Sequence, residues 1–464
     1  PGQLPDAPST APPRHRAAGL RLGPRYAGSE PSRAPAPPLI HSPIERCRPP
    51  MSSPGSARRL TRAHLVWAVG VFAYLCAVSG RASFGVASVE ASARFGVDGT
   101  MLSLFGVVQL GTYAAAQIPA GLLLDRLGPR RMLVLGALTM TAGQVLLAFS
   151  ADIPTALIAR LLTGVGDAAT LISVVRLIAT WFPARQVPVF TQLATMIGQF
   201  GQAVAAVPFL ALLITAGWTV AWASLAFLLL LSVLLVIAFV QDSPPEPEGA
   251  VPVPAARAGQ MLRDVFTSRA AWAGFFVHWM CLVTVNSSLF MWAVPYMTAL
   301  GIGAAQVGTL LTLNVVIMVA LGPLVGVLTG RFPHRRPLLG WIAGAILTVT
   351  WSLTLLMPGQ LTGWQLLPLI TAMAVGSATC AVGFDLARTG VPHRAIGTAT
   401  GMVNIGGFSA ALMSVLLIGI VLDLRTGGGT ATLADYRVAM ASQLVLMVVA
   451  GIGLWATTRR SVRA

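Results

Sequence analysis

Charged side chains are scarce in this sequence. They make up 10% of its 464 residues, whereas a soluble domain carries about 25%. Apolar runs of about 20 residues recur along the chain, and each is long enough to cross the roughly 30 Å hydrocarbon core of a bilayer. A soluble core would have to bury about twelve such runs with almost no charge between them. The composition therefore argues against a soluble globular protein and predicts an all-α membrane protein.

Lysine is absent and cysteine is rare. All 31 residues counted as lysine or arginine are arginine, and the four cysteines are Cys47, Cys76, Cys281 and Cys380. Three of the cysteines lie in apolar runs and none is close to another, so we expect small apolar fillers rather than a disulfide framework or a metal site. The sequence also lacks a phosphate-binding loop, a metal-ligand spacing and a nucleophile elbow. These absences predict a protein that is neither an enzyme nor an ATP-driven pump and that has no cofactor.

The net charge of +16 comes from arginines that are concentrated in loops. Seven of the 31 lie in the first 50 residues, and most of the others lie in short connections at the ends of apolar runs. This bias indicates membrane topology rather than a nucleic-acid interface, because positively charged loops stay in the cytoplasm. We expect a monomer in the plasma (inner) membrane, in contact with lipid and without a nucleic-acid partner, with both termini cytoplasmic. The loop arginines on this side are Arg58, Arg59, Arg62, Arg126, Arg130, Arg131, Arg185, Arg331, Arg335, Arg336, Arg394, Arg459, Arg460 and Arg463.

One long internal linker divides twelve apolar runs into six and six. The linker, residues 242–269, begins Asp242-Ser-Pro-Pro-Glu-Pro-Glu248 and is rich in proline and charge. It separates a predicted N-terminal six-helix bundle, residues 58–241, from a predicted C-terminal six-helix bundle, residues 270–464. The predicted spans are 64–88, 100–124, 131–150, 154–181, 189–214, 217–241, 270–298, 304–329, 337–357, 363–387, 397–422 and 437–457.

Residues 1–57 form a separate N-terminal segment in this prediction. Residues 1–54 contain 14 prolines and no apolar periodicity, so we expect disorder there. The segment lacks the apolar stretch of a signal peptide. Met51 precedes an ordinary basic lead-in to a membrane helix, and we expect it to begin the native chain.

The most specific motif is a short charged hairpin between the second and third spans. It reads Gly121-Leu-Leu-Leu-Asp125-Arg126-Leu-Gly128-Pro-Arg130-Arg131. A related stretch follows 205 positions later and reads Gly326-Val-Leu-Thr-Gly330-Arg331-Phe-Pro333-His-Arg335-Arg336. Five of the eleven positions are identical. A charged hairpin that occurs once in each half of an apolar chain indicates a transporter built from two related halves.

The hairpin resembles the signature that follows the second span in the major facilitator superfamily. Two further stretches match this family: Arg160-Leu-Leu-Thr-Gly164-Val-Gly166-Asp167 in the fourth span and Gly217-Trp218 at the start of the sixth. The resemblance covers residues 60–460 and implies two six-helix bundles that rock about a central site to give alternating access. Gly330 replaces the acid in the second hairpin, so we expect an asymmetric latch that depends mainly on Asp125.

Asp125 ends the second span, where its carboxylate can accept hydrogen bonds from the N-terminus of a neighbouring helix and from arginines. Charge clusters of this kind hold one conformation and break in the other. Simple stop-transfer charge would explain the arginines, but it would not explain an acid and two glycines at these spacings. The predicted conformational latch consists of Gly121, Asp125, Arg126, Gly128, Arg130 and Arg131.

Few ionisable groups occur inside the predicted spans, and each is a functional candidate because a charge in the membrane is costly. Arg81 lies in the first span, and Arg160 lies at a comparable depth in the fourth. Asp167 follows seven positions after Arg160, on the same face of the helix and near mid-membrane. We expect Arg81 and Arg160 to bind substrate and Asp167 to take up the coupling proton.

These positions also resemble a narrower group, the anion:cation symporters. The stretch Ser79-Gly80-Arg81 keeps the arginine of that group's first span, but Gly80 replaces the acid before it. Arg160, Asp167 and Trp181-Phe182-Pro183 match its fourth span. The resemblance implies that arginine binds an anionic substrate and that the carboxylate couples transport to protons. The missing acid leaves the proton stoichiometry open.

Uncharged polar side chains supply the rest of a predicted cavity, although helix–helix contacts would also explain them. Gln109, Tyr113 and Gln117 recur every four residues along one face of the second span. Arg176 is expected to lie outside the site, because its depth and helical angle place it near a membrane surface. The predicted substrate-binding residues are Arg81, Arg160, Tyr74, Tyr113, Gln199 and Asn286, and Asn404 is a further candidate.

Three functions follow from these observations. The first is a secondary transporter that moves a small anion by proton symport. The second is a proton-driven multidrug efflux antiporter, but two buried arginines without a surplus of acids argue against amphipathic cations. The third is a non-transporting membrane sensor, which would need a folded cytoplasmic domain that the short, proline-rich linker and tails do not supply.

Overall fold

The computed structural model describes residues 54–97, 99–244, 257–287, 292–427 and 429–459, and within these ranges the chain is helical without strands. The expected start at Met51 and the predicted disorder before Pro54 lie outside the described residues. The first helix begins at Pro54, so residues 54–57, which were expected to be disordered, are helical. The helices are α1 Pro54–Val86, α2 Ser88–Phe95, α3 Gly99–Leu127, α4 Pro129–Phe149, α5 Ile153–Trp181, α6 Val187–Val204, α7 Leu210–Phe239, α8 Ala258–Phe266, α9 Arg269–Ser287, α10 Ala293–Ala299, α11 Ala304–Arg331, α12 Arg336–Leu356, α13 Leu367–Thr379, α14 Val382–Thr389, α15 Ile396–Thr426 and α16 Leu433–Thr458.

Ten helices in the described ranges are long and apolar enough to cross a membrane. One of them, Val187–Phe239, has 53 residues and would measure about 80 Å, far more than the roughly 30 Å of a bilayer core. It turns at Gly217, whose φ of 83° suits glycine, and so divides into two spans. The shorter apolar helix Arg269–Val285 supplies one more crossing. Dividing one of the ten and adding this helix gives twelve spans, so the predicted all-α fold of two six-helix bundles is confirmed.

The helix pattern differs from the prediction in two places. The predicted tenth span, 363–387, is interrupted between α13 and α14. The predicted seventh span, 270–298, includes α9 and α10, and residues 288–291 between them lie outside the described residues. The predicted linker, 242–269, contains the short helix α8, in which Met261 and Val265 are buried. Hydropathy detects where a chain is apolar but does not detect a break of the backbone inside an apolar stretch, so these features were missed.

Glycines bring the helices of the N-terminal bundle into close contact. A Cβ atom on Gly166 of α5 would lie 2.5 Å from the carbonyl oxygen of Gly136 on α4, so only glycine allows this approach. A Cβ atom on Gly201 of α6 would lie 2.4 Å from the carbonyl oxygen of Leu75 on α1. These two contacts pack α1 and α5, which carry the predicted site residues, against their neighbours.

The two bundles touch through α3 with α15 and through α6 with α11. In the first contact, a Cβ atom on Gly401 would lie 2.4 Å from the carbonyl oxygen of Gln117. In the second, a Cβ atom on Gly326 would lie 2.9 Å from the Cα atom of Val189. Both contacts include the helix ends that precede the charged hairpins. We call this end of the molecule the arginine-rich side, which bears Arg126, Arg130, Arg131, Arg331 and Arg335.

Candidate functional site

An ion pair between Arg81 and Asp167 lies at the centre of the predicted site. The Arg81 Nη1 atom donates to Asp167 Oδ2 at 3.0 Å and joins α1 to α5. The Arg81 side chain is 16% exposed and the Asp167 side chain only 1%, so the arginine is the partner that solutes can reach. The second carboxylate oxygen of Asp167, Oδ1, has no hydrogen-bond partner among the described residues.

Two tyrosines complete the surroundings of Arg81. Tyr74 lies close enough to interact with the Arg81 guanidinium, and the guanidinium carbon lies 5.6 Å from the centre of the Tyr113 ring. The Tyr74 ring packs directly on Gly198 of α6, where a Cβ atom would lie 2.0 Å from it. Gly198 therefore holds Tyr74 in place. The structure thus brings Arg81, Asp167, Tyr74 and Tyr113 together, as the sequence predicted.

A polar connection runs from this cluster into the C-terminal bundle. Asn404 of α15 donates from Nδ2 to the Tyr113 hydroxyl at 2.7 Å, so the two bundles share a hydrogen bond at this depth. Asn404 also lies close to the side chain of His278 on α9, whose Nδ1 is 2.9 Å from the carbonyl oxygen of Cys380. This placement agrees with the expectation from the sequence that His278 is a hydrogen-bonding residue between helices rather than a proton carrier.

Gly80, which stands where the anion:cation symporters have an acid, packs against side chains of α4. A Cβ atom on Gly80 would lie 2.9 Å from Nε2 of Gln144 and 3.3 Å from the Met140 methyl group. The Gln144 amide donates to the Gly80 carbonyl oxygen at 3.3 Å. A side chain at position 80 would therefore require Gln144 and Met140 to move. In this packing, Asp167 is the one acid beside Arg81 among the described residues.

Arg160 lies in a different environment from Arg81. It is fully buried, and its guanidinium carbon lies 4.9 Å from the Phe84 ring and 5.3 Å from the Trp222 ring. Its Nη1 atom donates to Oε1 of Gln109 at 2.9 Å. Asp167, which shares a face of α5 with Arg160 in the sequence analysis, pairs with Arg81 instead. Nε2 of Gln109 also donates to the backbone carbonyl oxygen of Arg81 at 3.4 Å, so this amide connects Arg160 to α1.

The remaining predicted binding residues are placed less centrally. Gln199 is half-buried on α6 and accepts a hydrogen bond from Gln202 at 2.5 Å. The side chain of Asn286 lies outside the described residues. A cavity of about 520 Å³ opens along the first half of α11, far from Arg331 at the other end of that helix. It is lined by Gly308, Thr309, Thr312, Leu313 and Val316, and none of the predicted binding residues lines it.

Asp125 caps the first turn of α15 in the opposite bundle. Its Oδ1 accepts from the backbone N–H of Gly397 at 2.8 Å, and its Oδ2 accepts from the backbone N–H and the hydroxyl of Thr398, both at 2.8 Å. These N–H groups have no partner inside their own helix, and the positive end of the helix dipole favours a carboxylate there. Gly121 lets the backbones meet, since its Cβ atom would lie 2.7 Å from the Gly397 carbonyl oxygen.

The polar stripe on α3 continues into this contact. Tyr113, Gln117, Gly121 and Asp125 follow one another every four residues and face α15. The contact spans twelve residues of α3, or about 18 Å. Gln117 is fully buried within it, and both polar atoms of its amide lack a partner among the described residues. The stripe is therefore a contact between bundles as well as part of the central site.

The rest of the predicted latch stays within the N-terminal bundle. Gly128 has a φ of 82°, and a Cβ atom there would lie 2.8 Å from the carboxylate of Asp242. That carboxylate accepts from the backbone N–H of Arg130 at 2.7 Å, so the first residue of the linker caps α4. Arg126 and Arg131 are exposed. The hairpin arginines do not pair with Asp125 in this structure.

Arg176, which was expected to lie outside the substrate site and near a membrane surface, pairs with Asp125 of the predicted latch. Its Nη1 atom lies 3.5 Å from Asp125 Oδ1 and also donates to the His393 carbonyl oxygen. Its Nη2 atom lies 3.3 Å from Nδ1 of His393. The prediction placed Arg176 by its depth and its angle on α5 alone. It therefore did not reveal that the turn before α15 lies against this arginine.

The second hairpin makes a simpler contact. A Cβ atom on Gly330 would lie 2.5 Å from the carbonyl oxygen of Arg185, in the turn before α6. Arg336 folds back into its own bundle, where Nε donates to the Thr329 carbonyl oxygen at 3.2 Å and Nη1 to the Asp385 carbonyl oxygen at 3.3 Å. Asp385 pairs with Arg388 at 3.1 Å. These charges connect helices of one bundle.

Comparison with known proteins gives the same architecture. A family model described as Major Facilitator Superfamily matches residues 70–415. The probable sulfoacetate transporter SauU of Cupriavidus necator is 24% identical over 394 residues, which are 80% of this chain and 89% of that protein. The solved structure of the proton:xylose symporter XylE, bound to 6-bromo-6-deoxy-D-glucose, aligns with a TM-score of 0.63 at 14% identity. That alignment covers 84% of this chain and 95% of the other and shows a shared fold.

Proposed function

Because this chain belongs to the Major Facilitator Superfamily, we propose that it is a secondary transporter that carries a small organic anion and uses the proton gradient. It is a multi-pass integral membrane protein whose relatives are transporters. The observation that carries the anion proposal is the partly exposed Arg81, held between an acid and two tyrosines.

The charge balance of the N-terminal bundle favours an anion. Arg81 and Arg160 contribute two positive charges near its centre, and Asp167 contributes one negative charge. Arginine presents a planar fork of donors that fits carboxylates and related oxyanions. The relative SauU is named for sulfoacetate, which carries both a sulfonate and a carboxylate. This name supports a small organic anion as the class of substrate to test first.

Proton coupling follows from the single acid beside Arg81. An arriving anion competes with Asp167 for the guanidinium, and a buried carboxylate that loses its cation is stabilised by taking up a proton. The unpartnered Oδ1 of Asp167 offers a position for that proton. Binding of the anion and protonation of Asp167 therefore favour one another, and this linkage couples transport of the anion to transport of the proton.

The structure corresponds to a conformation that is closed on the arginine-rich side, where Asp125 holds α15. In the proposed cycle this side faces the cytoplasm, in keeping with the arginine bias of its loops. Both termini and the linker then lie in the cytoplasm of a plasma-membrane protein. The anion binds from outside, and separation of α3 from α15 lets it leave inside.

Two measurements test this proposal. Thermal unfolding of the purified protein against a panel of anions, with sulfoacetate included and organic cations as the contrast, should show stabilisation by one class of anion. Arg81→Lys keeps the charge but loses the fork, so it should weaken that stabilisation by about tenfold in affinity or more. Wild-type anion affinity in Arg81→Ala would show that the proposed site is wrong, and stabilisation by cations alone would favour the efflux alternative.

Coupling is tested separately in proteoliposomes. The anion that stabilises the protein should accumulate inside the proteoliposomes against its own gradient only when an inward proton gradient is imposed. Asp167→Asn should retain exchange of anion for anion but lose accumulation, because the side chain no longer takes up a proton. Proton-driven accumulation by Asp167→Asn would contradict the coupling role and leave the anion site standing.

A further inference from the structure

We propose that His393 is a second, regulatory proton-binding site that loosens the contact between the bundles when the arginine-rich side becomes acidic. The proposal concerns the position of the bundles and does not depend on which solute is carried. It starts from the short turn His393–Ala395, which leads into α15. That turn lies against Arg176 of the other bundle.

The geometry at Arg176 requires an unprotonated nitrogen on His393. The guanidinium donates from Nη1 to the His393 carbonyl oxygen, and its Nη2 lies 3.3 Å from Nδ1 of the same residue. Arginine carries donors only, so Nδ1 must be the acceptor. A proton on Nδ1 would turn two N–H groups and two positive charges towards each other. The protonated histidine therefore cannot keep the arrangement that the structure shows.

The charged groups around His393 cannot neutralise this extra charge. Arg176 on α5 faces it directly, and Asp125 on α3 is the carboxylate within salt-bridge distance of Arg176 among the described residues. Asp125 already accepts three hydrogen bonds from α15. On the other flank, Asp264 of α8 binds Arg394 through Nη2 at 3.0 Å and Nε at 3.2 Å. The remaining charged side chains on these elements are Arg126 of α3, Arg263 of α8, and Arg160 and Asp167 of α5, which lie nine or more residues before Arg176 and have partners of their own.

The position of His393 makes it responsive to the solution. Its side chain is exposed, so protons reach it without crossing the membrane. Because partial desolvation and Arg176 both oppose a positive charge there, we expect His393 to take up its proton at the acidic end of the range from about pH 5 to pH 8 in which histidines change charge. Protonation removes the contact of Arg176 with the turn before α15 and leaves Asp125 as the charged group that connects α3 to α15. The equilibrium between closed and open forms on this side then shifts towards the open form.

A second histidine of the same bundle provides the control. His334 is also exposed and lies in another short turn, Pro333–Arg335, that leads into α12. No contact of its ring with the opposite bundle occurs among the described residues. If acid acted on any exposed histidine, replacement of either residue would reduce the pH response. The proposed site predicts that only replacement of His393 reduces it.

The experiment measures the distance between spin labels at positions 131 and 335, which are exposed and belong to different bundles. The full-length chain, with its native cysteines replaced, is placed in lipid nanodiscs without substrate and titrated from about pH 8 to about pH 4.5, which includes the acidic end of the range in which histidines change charge. The open population should rise at least several-fold in the wild type and in His334→Asn. His393→Asn keeps an acceptor near the position of Nδ1 but does not titrate, so its distances should stay near those of the closed form.

Arg176→Gln supplies an independent arm. It removes the positive charge that a protonated His393 would face, so the open population should no longer depend on pH even though the histidine is intact. An unchanged pH response in His393→Asn or in Arg176→Gln would overturn the proposal, and so would a wild-type protein whose distances do not change with pH. None of these results depends on anion binding, so the proposed function stands or fails separately.

Discussion

The two contacts between the bundles, α3 with α15 and α6 with α11, come from the same internal repeat but are built differently. In the first, Asp125 caps the opposing helix and pairs with Arg176. In the second, Gly330 stands at the equivalent position, and its Cβ atom would already lie 2.5 Å from the Arg185 carbonyl oxygen. An acid has no room there. Both copies of the repeat therefore keep the close approach between helix backbones, but a charged side chain stabilises that approach only in the first copy.

The largest effect is expected from Gly121→Ala. Its Cβ atom would meet the backbone of α15 at 2.7 Å, and neither backbone can move away without separating the helices. Overpacking of this kind costs about 1–3 kcal/mol, so the closed form should lose about 5- to 150-fold in population. The spin-label distance between positions 131 and 335 measures this shift. Gly111→Ala on the same helix is the control, because its Cβ atom would meet nothing within 4 Å. Equal effects of both variants would rule out a steric origin.

Asp125→Asn should have the next largest effect. Asparagine keeps one oxygen acceptor but loses the charge, and hydrogen bonds to charged groups contribute about 1 kcal/mol more than neutral ones. Because Asp125 accepts three hydrogen bonds from α15, we expect a total loss of about 1.4 kcal/mol or more: the closed population should fall by about tenfold or more, transport should slow, and affinity for the anion should be retained. Asp423→Asn, at the exposed far end of α15, should behave as the wild type. A closed population that does not change in Asp125→Asn would mean that charge adds nothing to the first contact.

Gly330→Ala probes the second contact and should have a smaller effect. The new methyl group would meet the Arg185 carbonyl oxygen, which lies in a turn and can shift more easily than a helix. We expect the closed population to fall by about fivefold, equivalent to about 1 kcal/mol. Gly308→Ala on the same helix has open space for its Cβ atom and serves as the control. An effect larger than that of Gly121→Ala would reverse the order of the two contacts.

Gln117→Met should act in the opposite direction. The amide of Gln117 is buried between α3 and α15, and neither of its polar atoms has a partner among the residues described. Methionine has a similar shape and no polar groups that must be hydrogen-bonded. The closed form should gain about 1 kcal/mol, so its population should rise by about fivefold while turnover falls. Gln109→Met is the contrast, because Gln109 bonds to Arg160 and its loss should lower thermal stability. A smaller closed population in Gln117→Met would show that the amide is satisfied there.

Much of the fold was predictable, because crossing a bilayer leaves a strong signal in the sequence. Twelve apolar runs and the division into two six-helix bundles follow from length and hydropathy alone. The hairpin around Asp125 was also recognisable, since an acid and two glycines at fixed spacing are local features. The break between α13 and α14 was missed, because this stretch remains apolar on both sides of the break.

The partners of the site residues were harder to predict, because they are distant in the sequence. Asp167 was matched with Arg160 through helical periodicity, but α1 brings Arg81 to it across 86 residues. Arg160 was chosen because it is a charge inside a span, and the sequence did not reveal that Phe84 and Trp222 would enclose it. Periodicity describes one helix, whereas these pairings depend on which helices are neighbours.

The glycine-lined contact between α3 and α15 has a consequence for the work of separating the bundles. Parting two surfaces of leucine or valine would expose apolar area to water at about 25 cal/mol for each Å². Where Gly121, Gly397 and Gly401 meet the opposing backbone, parting exposes mostly peptide groups, and water can hydrogen-bond to those. Hydrogen bonds to water thus replace much of the interaction energy that is lost when the two helices separate. A seal of this composition can be tight enough to exclude solutes and still reopen in every cycle without a large hydrophobic penalty.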